Sequence, residues 1–113
     1  MRCTTCLSLG IAAVAAGWVS AAAAQSPHIG QYECWANNRA RLMLNFTLQP
    51  NGRYTDANGE RGTYSFDGRR VAFRGGALDG QRPVYEIRRR RPTASFIGAS
   101  GAEAAICEAV GQF

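Results

Sequence analysis

The run Arg41-Leu42-Met43-Leu44-Asn45-Phe46-Thr47-Leu48 sets leucine, leucine, phenylalanine and leucine at every second position, with Arg41, Asn45 and Thr47 among the residues facing the other way. A period of two with one apolar and one wetter face is the pattern of a half-buried antiparallel strand. Asn51-Gly52 follows, a dipeptide that accepts positive φ at a tight corner, and then Arg53 to Asp56. Strand, corner and strand at this spacing predict a hairpin, and the rest of the chain repeats the arrangement.

On the N-terminal side, Gln31-Tyr32-Glu33-Cys34-Trp35 puts Tyr32 and Cys34 on one face and Glu33 and Trp35 on the other. On the C-terminal side, Gly62 to Phe66 and Arg70 to Arg74 point Tyr64, Phe66, Val71 and Phe73 inward. Asn58-Gly59 and Asp67-Gly68 are further hairpin corners, and Gly75-Gly76, Asp79-Gly80 and Arg91-Pro92 mark others. The expected strands are Ile29–Trp35, Arg41–Leu48, Arg53–Asp56, Arg61–Phe66, Arg70–Arg74, Val84–Arg89, Thr93–Gly98 and Ala104–Glu108. No amphipathic helix competes, because the alanine-rich Ala99 to Ala105 is short and broken by Gly101. The fold expected is all-β: an antiparallel meander of about eight short strands, closed or nearly closed into a small barrel, with a two-sheet sandwich as the alternative. Closure is favoured because it removes edges that would otherwise pair with other chains.

With 113 residues, 46% of them apolar, the chain has room for one domain and none for a Rossmann enzyme or a TIM barrel. Its 13 basic residues are all arginine against 8 acids, a formal net of +5. The absence of lysine reads as a GC-rich codon bias, and the mild basicity permits attraction to anionic surfaces without requiring it.

Met1-Arg2, the uncharged apolar run Leu7 to Val19 and Ala22-Ala23-Ala24 have the three parts of a secretory signal peptide, with cleavage after Ala24. A membrane anchor needs roughly 20 apolar residues and a basic flank, and this run has neither. Cys3 and Cys6 precede the apolar run, whereas a lipid-bearing cysteine would follow it. The expected organisation is therefore a signal peptide over 1–24 and one small domain over 25–113, periplasmic or extracellular, with no transmembrane segment after cleavage. The mature chain has 89 residues and a net charge of +4. Its cysteines, Cys34 and Cys107, are expected to form a disulfide in an oxidising compartment. No CxxC spacing or nearby histidine supports reactive thiols instead.

The chemistry-bearing constellations are missing. His28 is the sole histidine, and no nucleophile elbow, phosphate loop or paired carboxylates can be argued from spacing. The expectation is no enzyme activity and no catalytic residue, cofactor or metal. Asp56-Ala57-Asn58-Gly59-Glu60 has oxygen ligands at alternate positions but lacks the remainder of a calcium loop, so it reads as a polar turn. Asn45-Phe46-Thr47 matches a glycosylation sequon by coincidence within a strand.

Arg88-Arg89-Arg90-Arg91 is the most conspicuous local feature. Side chains alternate along a strand, so four adjacent guanidiniums cannot share a face, and the run is expected to span a strand end and its hairpin, with Pro92 ending the ladder. It could hold phosphate or carboxylate groups of a lipid headgroup, an anionic glycan or a protein. The plainer reading is a solvated loop that protects the sheet edge. Nucleic acid is not an expected partner, because no aromatic platform accompanies the run. Tyr32, Phe46, Tyr54, Tyr64, Phe66, Phe73, Tyr85 and Phe96 read as barrel filling. Trp35 opposes them in parity and is expected either to cover the disulfide or to serve as a surface contact.

Several motifs carry a resemblance. Gly30 to Trp35, Asn45 to Thr55, Gly59 to Phe66, Arg70 to Gly80 and Ile106 to Ala109 resemble small exported domains of uncharacterised function from proteobacteria. Those share an early aromatic-x-Cys, a Phe-rich strand before Asn-Gly-x-Tyr, a Gly-x-Tyr strand and a late Cys-Glu. The resemblance implies a small secreted all-β fold with Cys34 bridged to Cys107, and no catalytic residues. The function expected is a binding module acting through its surface, at the cell envelope or in the manner of periplasmic protease inhibitors. Those inhibitors use an N-terminal arm, for which Gln25-Ser26-Pro27-His28 is a short equivalent, though the wide cysteine spacing departs from their pattern. The alternative is a lipocalin-like carrier of a small apolar ligand.

Overall fold

The computed structural model describes residues 26–113, so the signal-peptide reading of 1–24 lies outside the described residues. The elements are strands β1 (Gly30–Ala36), β2 (Arg39–Ala40), β3 (Phe46–Gln49), β4 (Arg53–Asp56), β5 (Arg61–Phe66), β6 (Val71–Arg74), β7 (Val84–Arg88), β8 (Arg91–Ile97) and β9 (Glu103–Ala109), with 3-10 turns at Leu42–Leu44 and Pro50–Gly52. All pairings between strands are antiparallel, in the order β6-β5-β4-β3-β1-β9-β8-β7, and β2 hangs from β1. The two ends of that order approach each other at one bridge, Arg70 opposite Val84. Val71 N–H donates to Pro83 O (3.1 Å), Phe73 N–H to Gln81 O (2.9 Å) and Tyr85 N–H to Arg69 O (2.7 Å). The result is an eight-stranded meander nearly closed into a barrel, with its seam between β6 and β7 rather than between the first and last strands.

Two expectations are corrected. Arg41–Leu48 is not one strand: Leu42–Leu44 forms a 3-10 turn, and β3 begins at Phe46. The cause is local. Asn45 Oδ1 accepts the Cys34 N–H (2.8 Å), Arg41 N–H donates to Cys34 O (2.8 Å), and Asn45 N–H closes back on Leu42 O (3.2 Å). These bonds take up the backbone that the ladder would need, so Leu42 ends 69% exposed despite its inward parity. Pro92 does not end the ladder either. It lies inside β8 opposite Ile87, one residue before the β8–β9 ladder starts at Thr93, so its missing N–H takes nothing from that ladder.

The interior is filled by aromatic rings. Tyr32 stacks on Phe46 (4.9 Å between centroids), and Phe73 meets Phe46 (5.3 Å) and Tyr54 (4.7 Å) edge to face. Small residues face the large ones along the β1–β9–β8 wall, with Ala109 opposite Tyr32 and Ala94 beside Cys107. Such alternation fits bulky rings into a narrow barrel. Tyr54 also fixes the loop after β6, accepting the Leu78 N–H (3.1 Å) while its hydroxyl donates to Gly75 O. Gly62 permits this approach, since a Cβ there would lie 2.5 Å from the Tyr54 ring and 2.6 Å from Arg74 O.

Cys34 and Cys107 are direct cross-strand partners and are joined by a disulfide. In the chain-entropy picture, closing a loop of this length is worth about 4 kcal/mol. Replacing both cysteines with alanine is therefore expected to lower the unfolding free energy by about that amount in denaturant titration, and thiol titration of unreduced, unfolded protein spanning residues 25–113 should find no free thiol.

Candidate functional site

The chain alternates direction between two ends of the barrel. One end gathers the Asn37-Asn38 turn, the Leu42–Leu44 turn, the Asp56–Glu60 corner and the 98–102 corner. The other gathers the chain segments at 26–29 and 110–113, the Asp67-Gly68 corner and the arginine run. The described candidate residues separate accordingly.

In the arginine run, each guanidinium has a different fate. Arg88 closes β7 and forms ion pairs with Glu86 (2.7 Å) and Glu103 (2.6 Å), which reaches it across β8. Arg88 pulls the Glu103 carboxyl below its ordinary value. All three side chains are more than a third exposed, where such pairs add little stability. Arg91 opens β8 and donates to Ala109 O (2.7 Å) and Gly111 O (2.9 Å), while its guanidinium lies 5.2 Å from the centre of the Phe113 ring. It clamps the last residues onto the barrel. The expectation of a solvated run is therefore too simple for these two.

Arg89 and Arg90 are the two residues of the β7–β8 hairpin loop, with φ of 52° and 71°. Positive φ at both central positions suits the twist of paired strands, and it favours Asn-Gly or Asp-Gly. The other two-residue hairpin among the described residues, between Ala36 and Arg39, has Asn37 and Asn38 in the same conformation, with φ of 54° and 62°. Arginine in that region costs roughly 1–2 kcal/mol per residue. Both side chains are exposed, and neither enters an ion pair among the described residues.

Exposed apolar side chains lie at the same end of the barrel. Ile87 is 58% exposed beside it, and Val110 and Phe113 are exposed next to Arg91. Phe113 in turn meets the His28 ring edge to face at 5.0 Å. His28 N–H donates to the Tyr85 hydroxyl (3.0 Å), its carbonyl accepts from Tyr32 (2.7 Å), and Pro27 is buried. The described part of the expected N-terminal arm is thus packed onto this end. Sequence reasoning missed Ile87, Val110 and Phe113, because Ile87 has inward parity and the others lie beyond the last strand. No sequence signal marks a residue whose place depends on a distant arginine.

Trp35 lies on the outer face toward the opposite end, 44% exposed, across from Ala40 and Ile106. It lines an open hollow of about 440 Å³ with Asn37, Asn38 and Glu103. A second, apolar dimple of about 250 Å³ at that mouth is bounded by Leu44, Leu78 and Phe96. Both lie outside the aromatic core.

Asp56 uses its side chain internally. Its Oδ1 accepts the N–H groups of Asn58 and Glu60 (both 2.9 Å), and Oδ2 accepts that of Ala77 (2.8 Å). Desolvation pushes its carboxyl up, but these bonds outweigh it and hold the value below 3.8. Asp67, bonded to the N–H groups of Arg70 and Arg69, is also held below 3.8. Among the described residues no three His, Cys, Asp or Glu side chains converge as metal ligands.

Comparisons with protein-family models, curated proteins and solved structures give no match to this chain. The functional reading therefore stands on the geometry.

Two measurements follow from these arrangements. Replacing the strained pair together, Arg89→Asn with Arg90→Gly, should raise the unfolding free energy by about 1–2 kcal/mol, read in denaturant titration, whereas Arg91→Ala should lower it. Carboxyls depressed in the folded state stabilise it above their ordinary value and lose that contribution as pH falls through the depressed one. Thermal midpoints should accordingly drop below about pH 4, with Asp56→Asn showing a flatter acid limb from a lower starting point.

Proposed function

We propose that this protein is an exported binding module, periplasmic or extracellular, that acts through its surface at the cell envelope and holds anionic oxygens with Arg89 and Arg90. The observation that carries this reading is the hairpin turn itself. Two exposed guanidiniums, outside any ion pair among the described residues, occupy backbone positions where they cost stability, whereas the other two-residue turn described uses asparagines. Residues held in unfavourable backbone conformations concentrate where a protein does its work. Paired guanidiniums at a turn match phosphate and carboxylate groups through charge-assisted hydrogen bonds.

The filled interior supports surface binding over carriage of an apolar ligand. Tyr32, Phe46, Tyr54 and Phe73 occupy the space such a ligand would need at the centre of the barrel. An inhibitor-like arm receives less support, because Pro27 and His28 are engaged with the barrel.

The mature protein is expected to bind both heparin and vesicles containing phosphatidylglycerol at low salt, and to release both as salt rises. Arg89→Ser with Arg90→Ser should weaken each by about thirtyfold, from a contribution near 1 kcal/mol per arginine at an anionic surface, without lowering thermal stability. Equal binding by the two proteins would sink the proposal.

A further inference from the structure

We infer that the partner at the arginine end is an anionic lipid bilayer, met end-on, with Arg89 and Arg90 among the headgroups and Ile87, Val110 and Phe113 at the acyl boundary. This rests on the reading of the turn as an anion contact and adds what carries the anion. A soluble phosphate or glycan would be held by the guanidiniums alone. It gives no account of the exposed apolar side chains at the same end of the barrel, of which Ile87 is 58% and Val110 45% exposed. Cationic groups flanked by apolar side chains are the composition of an interfacial membrane contact.

The charges on the β1–β9–β8 wall disfavour a side-on contact there. Glu33 and Glu108 are direct partners on the β1–β9 wall, and Thr93 separates Glu108 from Glu86. A barrel lying on that wall would press carboxylates against anionic lipid. Standing on the arginine end turns that wall away from the lipid; Glu86 is already paired with Arg88, and Asp67 at the same end accepts the N–H groups of Arg69 and Arg70. The end is also stiff. Arg91 ties Ala109 and Gly111 to β8, Val110 N–H donates to Gln31 O (2.9 Å), and Phe113 rests between Arg91 and His28. The apolar side chains are thus presented on a formed surface and need no ordering on contact, which lowers the cost of binding.

Trp35 reports the orientation, being the sole tryptophan of residues 25–113 and lying four positions along β1 from Gln31, away from the arginine turn. On vesicles of phosphatidylcholine with phosphatidylglycerol, Trp35 emission is expected to stay where it is in buffer. In the variant Trp35→Phe with Ile87→Trp, emission should shift to the blue on those vesicles and not on phosphatidylcholine alone. Ile87→Ser with Phe113→Ser should lose about tenfold in vesicle affinity and keep the heparin affinity of the parent, with its thermal midpoint showing that it is folded. Vesicle binding unchanged by the loss of Ile87 and Phe113, or a blue shift of Trp35 itself, overturns the bilayer contact. Heparin binding without vesicle binding overturns it too, yet leaves the anion-contact function standing. Failure to bind either probe removes both.

Discussion

The pairing of β1 with β9, stapled by Cys34 and Cys107 at directly opposed positions, is the constraint on which the rest of the barrel depends. A meander of short strands has two free edges, and in a domain of this size little buried surface is available to offset them. Joining the first strand to the last removes one pair of edges. The remaining seam, between β6 and β7, needs only the Arg70–Val84 bridge and the flanking backbone bonds. The same staple reaches the periphery. Cys34 N–H and C=O bond to Asn45 and Arg41, which turns the chain into the Leu42–Leu44 segment and exposes Leu42.

The two ends of the barrel diverge in character because the strands feed them different corners. One end receives asparagines, a buried Asp56 that satisfies three backbone N–H groups, and the apolar mouth near Leu44 and Phe96. The other receives the arginine hairpin and the segments at residues 26–29 and 110–113. Arg91 decides the architecture of that second end, since it is simultaneously the first residue of β8, a donor to two carbonyls and the cation over Phe113. Arg88 performs a comparable wall-side role with Glu86 and Glu103. Only the middle pair of the run is left over for an external anion.

Much of the fold was legible. Arg53–Asp56 and Arg61–Phe66 form strands with the bounds their alternation implies, and the Asn51-Gly52 and Asn58-Gly59 corners fall where positive φ is required. Period and turn chemistry are local properties, carried by neighbouring residues. The reading failed at Leu42, whose parity was right for a strand but whose carbonyl is taken by the Asn45 N–H while Cys34 holds the flanking Arg41 and Asn45. It failed again at Pro92, whose tolerance depends on where the adjacent ladder starts. The arginine run was visible as a run, but its division into two structural and two free guanidiniums was not.

Alternation, corner dipeptides and two cysteines near the ends of the expected domain are enough to determine an all-β meander with one disulfide, because each acts within a few residues or through a single covalent bond. Tertiary structure alone decided where the seam lies, that the aromatic rings leave no room at the centre, and which arginines remain free. Those outcomes depend on partners far along the chain, as Arg91 depends on Ala109, Gly111 and Phe113. No window of sequence contains both members of such a contact, so only the folded chain can say which charges it has already used.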